Sequence, residues 1–252
     1  MYVEDVGSGP PVLAVPGLGG GAWFFAGFAR RLAADYRVLS IDLPGTGRSA
    51  APGVPFSAES WVADLGDLLT ARVTDPVVII GHSLGTILAL QAWQAWAERI
   101  RGLVFVGGLP EVRPLIRERL SERARLVAAH GLSGWGHRAA TGTFARATFD
   151  TTPELIALFE RLFEAQDPQQ YTRACEILLS TSAAGLASSV PVPCLALTGS
   201  EDQYAPPDLV TGFASELQAC RVEILSNCGH LPFLEAPEAF AGAVRSYLSA
   251  VC

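Results

Sequence analysis

The chain has 252 residues, half of them hydrophobic, and a formal net charge of −7 at pH 7. This length suits a single α/β domain, or such a core with a small insertion, and the acidic balance argues against binding to nucleic acid or an anionic membrane. All 18 basic residues are arginine, which excludes Schiff-base chemistry and a Walker A phosphate lysine.

Cysteine usage and the N-terminal residues indicate the compartment. The five cysteines are scattered without the spacing of a metal site, and their number is odd. We therefore expect reduced thiols, no bound metal and a cytoplasmic location. Residues 1–5 have neither the basic nor the apolar region of a signal peptide. No run of about 18 apolar residues predicts a membrane span.

Strand and helix patterns alternate along the first part of the chain. They predict strands at residues 11–15, 37–43, 77–80 and 103–106, and helices at residues 22–34, 57–72 and 84–97. Ser57 is the predicted N-cap of the second helix. Strands that alternate with helices of this length predict β-α-β units and a parallel sheet, so we expect an α/β fold.

The alternation stops after the fourth predicted strand. Only helical patterns follow, for example at residues 113–129, 154–165 and 169–180, before strands return at 192–197 and 221–225 with helices at 207–217 and 237–250. A helical block between two halves of a sheet predicts a lid over the edge where open α/β sheets bind ligands. The predicted domains are a core, residues 1–110 and 186–252, and a helical lid, residues 111–185.

The first helix of the predicted lid is rich in arginine. Because Glu118 and Glu122 are mixed with these arginines, the pattern predicts a solvated face rather than a binding patch. The residues concerned are Arg113, Arg117, Arg119, Arg123 and Arg125.

A candidate nucleophile lies in residues 81–85, the only Gly-x-Ser-x-Gly motif in the chain. A strand that turns at once into a helix strains the backbone at Ser83 and exposes its Oγ at the top of the sheet. Gly81 and Gly85 have no Cβ, so the two arms of the turn can approach closely. We predict Ser83 as the nucleophile.

A serine nucleophile needs a base, and the chain has four histidines. His82 precedes the nucleophile in a tight turn, so we expect its side chain to point elsewhere. His130 and His137 lie in the helical block. His230 follows the last predicted strand at the ligand-binding edge, and it is the predicted base.

The base in turn needs an acid to hold its tautomer. Asp202 follows the C-terminal end of the preceding strand and is the predicted acid. Glu201 and Glu111 are the alternatives.

With these residues in place, the chain resembles the α/β-hydrolase fold superfamily over nearly its whole length. The order Ser83, Asp202, His230 is that of this group. Residues 16–19 resemble its oxyanion loop, which implies an oxyanion hole made by the backbone N–H groups of Leu18 and Leu84. Residues 42–49 resemble a structural turn of the family, and residues 229–237 resemble its histidine loop.

The sequence departs from the family pattern at two points. Pro16 stands where a histidine is usual before the glycine of the oxyanion loop. The chain also starts at the second strand of the family, which predicts that one edge strand is missing.

The resemblance implies a cofactor-free hydrolase of carboxylic esters or lactones, similar to enol-lactone hydrolases, biosynthetic methylesterases and carboxylesterases. Serine at position 83 argues against haloalkane dehalogenases and epoxide hydrolases, which use aspartate there. The absence of lysine argues against the hydroxynitrile lyases of this fold. Carbon–carbon bond hydrolases, acyltransferases and triad-bearing ligand receptors remain open.

Aromatic residues near the predicted site point to the substrate. Together they predict a small, neutral, largely apolar substrate, and we expect no nucleic-acid or membrane partner. The predicted substrate-binding residues are Trp23, Trp135, Phe144, Phe159, Tyr204 and Phe233, with Phe163 as a further lid aromatic.

Overall fold

The computed structural model describes residues 1–52 and 56–252, and seven strands in these residues form one sheet. The strands are β1 (Tyr2–Val6), β2 (Pro11–Val15), β3 (Arg37–Asp42), β4 (Val77–His82), β5 (Ile100–Val106), β6 (Cys194–Gly199) and β7 (Cys220–Leu225). Their order across the sheet is β1-β3-β2-β4-β5-β6-β7. Neighbouring strands from β3 to β7 pair in parallel. Their carboxyl ends therefore meet at one edge of the sheet.

Strands β2, β4 and β6 are buried along their whole length. Such continuous burial is typical of parallel strands that helices cover on both faces. It also explains why these strands read as unbroken apolar runs in the sequence.

The antiparallel edge strand β1 lies before the first predicted strand, residues 11–15, and was not predicted. β1 pairs with β3 from Tyr2 opposite Asp42 to Val6 opposite Val38. Its residues are half-buried or exposed. At such an edge, the two acidic residues in the middle of the strand remove the apolar signal that identified the central strands.

Eleven α-helices surround the sheet in the described residues. They are α1 (Ala26–Leu32), α2 (Ala58–Arg72), α3 (Leu84–Trp96), α4 (Pro114–His130), α5 (Trp135–Thr143), α6 (Arg146–Thr151), α7 (Pro153–Glu164), α8 (Pro168–Ser180), α9 (Pro207–Glu216), α10 (Pro232–Glu235) and α11 (Pro237–Val251). Within residues 1–52 and 56–252, each helix is too short or too polar to cross a lipid bilayer.

The predicted helices are confirmed within a few residues at each end. The first one divides into a 3-10 turn, Ala22–Phe25, followed by α1. The predicted cap of α2 is also confirmed, because the Ser57 side chain accepts a hydrogen bond from the N–H of Ser60 at 3.2 Å. This cap satisfies a backbone donor that the first turn of a helix would otherwise leave unpaired.

Helices α4 to α8 form a helical block between β5 and β6. The block contacts the sheet edge directly, since the N–H of His230 donates to the carbonyl of Thr143 at the end of α5, at 2.7 Å. At its far end, the N–H of Ala183 donates to the carbonyl of Pro110, also at 2.7 Å. The block therefore lies over the carboxyl ends of the strands.

Candidate active site

Ser83 lies at the turn between β4 and α3, with φ 52° and ψ −113°. A positive φ at a residue other than glycine costs of order 1–3 kcal/mol, and it persists where the surrounding structure enforces it. Here the N–H of Ser83 donates to the carbonyl of Val106 at 2.9 Å. A Cβ at Gly81 would collide with the carbonyl oxygen of Gly85, so the turn is as tight as the motif predicts. This is the geometry of a nucleophile elbow.

Asp202 and His230 form a buried hydrogen-bonded pair. Their side chains are 0% and 8% exposed, and Asp202 Oδ2 lies 2.8 Å from His230 Nδ1. The other oxygen of Asp202 accepts the backbone N–H groups of Tyr204 at 2.8 Å and Ala205 at 2.9 Å. A carboxylate held this way keeps the proton of the imidazole on Nδ1, which leaves Nε2 free to accept a proton.

The two alternative acids do not contact His230. Glu201 is exposed and accepts the N–H of Arg146 at 3.1 Å. Glu111 is exposed on the loop before α4. Of the three candidate acids, Asp202 is the one that hydrogen-bonds to His230.

Gly107, directly after β5, is a site residue that the sequence analysis missed. It has φ 52°, and a Cβ there would lie 2.9 Å from both Asp202 Oδ2 and His230 Nδ1. Its N–H donates to the carbonyl of Leu197 at 2.8 Å. Only glycine leaves room for the buried pair at this point. The sequence feature that could have identified this residue is the pair of glycines that follows the fourth predicted strand.

The prediction that the His82 side chain points away from the site is wrong. Its ring lies 4.7 Å from the ring of His230, and its Nε2 lies 3.0 Å from the backbone oxygen of His230. Burial, and to a smaller extent His230, hold the pKa of His82 well below its usual value. His82 is therefore neutral and donates its Nε2 proton to the carbonyl, which supports the loop that carries His230.

The two predicted oxyanion donors lie beside the nucleophile. Leu84 is the first residue of α3, and Leu18 lies in the loop after β2, where the N–H of Gly20 closes a turn on the carbonyl of Gly17 at 3.1 Å. A Cβ at Gly17 would be 2.8 Å from Cβ of Ser83. Within the described residues, the N–H groups of Leu18 and Leu84 have no acceptor. Such donors can stabilise an oxyanion.

Ser83 Oγ and His230 Nε2 are not hydrogen-bonded to each other in the described part of the chain. Catalytic hydrogen bonds often tighten only when a substrate is bound. Both side chains line the same cavity, so a bound carbonyl would meet them together.

Glu235, in α10, ties the His230 loop to the helical block. Its carboxylate accepts the N–H groups of Gly229 at 3.0 Å and Leu231 at 3.2 Å on either side of His230. It also accepts the N–H of Ala145 and the hydroxyl of Thr148, each at 2.8 Å. Burial raises the pKa of Glu235, although these four hydrogen bonds act in the opposite direction.

A cavity of about 280 Å³ lies between the sheet edge and the helical block, and its lining includes Ser83 and His230. Two predicted substrate-binding residues, Phe159 and Tyr204, line it, as do Leu18, Leu84 and Phe163. In the part of the chain that the structure describes, no cluster of histidine, cysteine, aspartate or glutamate side chains could hold a metal ion.

The other four predicted substrate-binding residues do not line this cavity. Phe233 packs beneath the site, 5.0 Å from the ring of His82. Phe144 lies behind Phe159, with ring centroids 5.0 Å apart. Trp23 packs on Phe24 at 4.5 Å, and Trp135 is half-buried with Arg138 over its ring at 5.3 Å. Each ring is used in packing rather than in the cavity wall.

The arginines of α4 are divided between solvent and the cavity. Arg117 and Arg125 are exposed as predicted. Arg113, Arg119 and Arg123 line the cavity, and Arg113 and Arg123 are half-buried whereas Arg119 is exposed. The prediction of a solvated face is therefore wrong for Arg113 and Arg123. Arginine is found both on a helix face that meets solvent and on a face that lines a polar cavity. The sequence pattern therefore does not distinguish these two positions.

Comparison with known proteins agrees with this geometry. Residues 12–243 match the alpha/beta hydrolase family. The pimeloyl-[acyl-carrier protein] methyl ester esterase of Chromobacterium violaceum is 29% identical over 98% of this chain and 98% of its own. The 2-hydroxy-6-oxo-6-(2'-aminophenyl)hexa-2,4-dienoic acid hydrolase of Metapseudomonas resinovorans is 27% identical over 98% of this chain and 87% of its own.

Comparison of the fold with solved structures leads to the same family. The structure of the enol-lactonase from Burkholderia xenovorans superposes with a TM-score of 0.91 at 22% identity, and it covers 98% of this chain and 96% of that chain. The expected α/β-hydrolase fold, a mostly parallel sheet flanked by helices, is thereby confirmed. The chain belongs to the alpha/beta hydrolase family.

Proposed function

We propose that this protein is a serine hydrolase that cleaves a small carboxylic ester or lactone through an acyl-enzyme on Ser83. The observation that carries the proposal is the buried Asp202–His230 pair, joined at 2.8 Å, which lines one cavity with the strained Ser83 elbow. The names of the relatives support it, since they include a methyl ester esterase and an enol-lactonase.

In the proposed reaction, Ser83 Oγ attacks the carbonyl carbon while His230 Nε2 takes its proton. Asp202 stabilises the imidazolium that forms. The N–H groups of Leu18 and Leu84 donate to the oxyanion, and each such donor contributes roughly 2.7–4 kcal/mol. The tetrahedral intermediate collapses as His230 protonates the leaving alkoxide. Water, activated by His230, then hydrolyses the acyl-enzyme and releases the acid and free Ser83.

We further propose that residues 111–185 are a lid that selects the substrate. Helices α4, α5, α7 and α8 supply most of the cavity wall opposite the strand ends. None of the residues proposed for the chemistry lies in this segment. Glu235 and the His230–Thr143 hydrogen bond fix the lid against the catalytic loop.

The test is turnover of a 4-nitrophenyl ester together with labelling by a fluorophosphonate probe. Wild-type protein is expected to hydrolyse the ester and to take up the probe, while Ser83→Ala does neither and keeps its melting temperature. Ser215→Ala, an exposed serine on α9, serves as the matched control and should behave as wild type.

Equal labelling of wild type and Ser83→Ala would contradict the assignment of the nucleophile. A wild-type protein that neither turns over esters nor takes up the probe would instead be a ligand receptor that retains the three residues.

A further inference from the structure

The Arg123 side chain extends from α4 into the wall of the cavity, where it is half-buried. Its guanidinium donates to two phenol groups, Tyr171 Oη at 3.3 Å and Tyr204 Oη at 3.4 Å. Burial raises the pKa of Tyr171 well above its usual value, so this partner is neutral. Within the described residues, Arg123 forms no ion pair.

A half-buried guanidinium without a carboxylate partner lowers the stability of the folded protein. Removing a charge from water is unfavourable unless an opposite charge compensates it. The chain has 25 aspartate and glutamate residues, yet none is within ion-pair distance of Arg123 in the described structure. Two long hydrogen bonds to phenol hydroxyls orient the guanidinium but do not neutralise it.

The rest of the cavity wall has the same sign of charge. Besides Arg123, three arginines line it, whereas Glu111 is its only acidic residue among those described. Arg113 is held by the backbone oxygens of Gln203 and Tyr204. Arg119 and Arg138 are exposed on the lid. In a chain of net charge −7, this local excess of positive charge favours the entry of an anion.

Arg123 lies close to the proposed base, His230. The ring of Tyr204 lies 4.7 Å from the ring of His230, while its hydroxyl contacts Arg123. The Tyr204 side chain thus contacts both Arg123 and the proposed base. Arg123 and Ser83 line the same cavity, so a small molecule held by the guanidinium shares that space with the proposed nucleophile.

We infer that the substrate is an ester or lactone that also carries a carboxylate, and that Arg123 binds this carboxylate. The inference rests on the proposed function and replaces the neutral substrate that the aromatic residues predicted. A planar guanidinium matches a carboxylate with two parallel hydrogen bonds. The apolar lining residues Ile87, Leu109 and Leu178 suit the short carbon chain between the two groups.

The test compares esters that differ only in charge: the mono-4-nitrophenyl esters of succinate, glutarate and adipate against 4-nitrophenyl hexanoate. Wild type is expected to have a higher kcat/KM for at least one carboxylated ester than for hexanoate. Arg123→Gln should lower kcat/KM for that ester on the order of 10- to 100-fold, which is the effect of losing one charged hydrogen-bonding partner. The loss on hexanoate should be much smaller. Arg123→Lys should restore part of the preference.

Arg125→Gln is the matched control, since Arg125 lies on the same helix but is exposed and paired with Glu122. It should keep the wild-type preference. A wild-type enzyme that prefers hexanoate, or equal losses on both esters in Arg123→Gln, would overturn the inference and leave the hydrolase proposal intact.

A binding measurement separates this inference from the proposed chemistry. Ser83→Ala protein should bind glutarate but not 1,5-pentanediol in calorimetry, and the double variant with Arg123→Gln should lose that binding. If glutarate binds while the wild-type protein hydrolyses none of the esters, the anion site stands and the hydrolase proposal fails. Equal affinity for glutarate in both variants would overturn the role of Arg123.

Discussion

At the residue scale, the Asp202 carboxylate is the best-defined group of the site. Two backbone N–H groups orient one oxygen, and His230 Nδ1 together with the hydroxyl of Thr198, at 3.2 Å, contacts the other. These four contacts hold the carboxylate in one orientation. Asp202 is thus prepared to hold a protonated imidazole without moving.

Asp202→Asn is expected to lower kcat on the order of 10⁴-fold, by analogy with the serine proteases. The amide can offer N–H to Nδ1, which selects the wrong tautomer of His230 and removes the negative charge. The measurement is kcat on an activated acetate, with Glu201→Gln as the control that stays active. Undiminished kcat in Asp202→Asn would transfer the role to Glu201 or Glu111.

At the scale of secondary-structure elements, the lid aromatics divide into two groups. Phe159 on α7 lines the cavity, with the ring of Phe163 stacked at 5.8 Å and that of Phe144 edge-on at 5.0 Å. Trp135 begins α5 and lies outside the cavity wall. The two residues therefore distinguish a substrate contact from packing within the lid.

Phe159→Ala should change the ranking of ester substrates by lowering kcat/KM for a bulky ester more than for a small acetate. One ring that touches only the bulkier substrate contributes to its transition state alone. Trp135→Ala is the control, and its ranking should match that of wild type. Equal losses on both substrates in Phe159→Ala, or loss of folding, would mean that the segment is structural core and not a lid.

At the scale of the whole molecule, the buried His82 links stability to pH. Its pKa in the folded protein is well below 6.5, chiefly because of burial. Below about pH 6.5, the unfolded chain therefore binds a proton at this position that the folded protein does not. Stability from His82 is present above that pH and decreases as the pH falls.

The free energy of unfolding in urea should therefore fall between pH 7.5 and 5.5, with His82 contributing up to about 1.4 kcal/mol per pH unit below its unfolded pKa. His82→Gln should have a shallower dependence than wild type. His130→Gln, an exposed histidine at the end of α4, should keep the wild-type slope. Identical slopes in wild type and His82→Gln would show that His82 does not remain neutral in the folded protein.

Much of this fold could be predicted from local patterns alone. The central strands are apolar throughout because both faces of the sheet are covered, and the helices carry an apolar stripe and recognisable first turns. The Gly-x-Ser-x-Gly turn also determined where Ser83 would lie, since its geometry depends on a few neighbouring residues. The relative positions of Asp202 and His230 followed from parallel strands, whose carboxyl ends must meet at one edge.

Only the tertiary structure decided which side chains face the cavity. The edge strand β1 is half-exposed, so its sequence lacks the apolar run of a central strand. Arg123 and Arg125 are two residues apart on one helix, yet one enters the cavity and the other enters solvent. His82 reaches His230 across 148 residues of sequence. Each outcome depends on how distant elements pack against each other, and charge or apolar periodicity within one element contains no information about that packing.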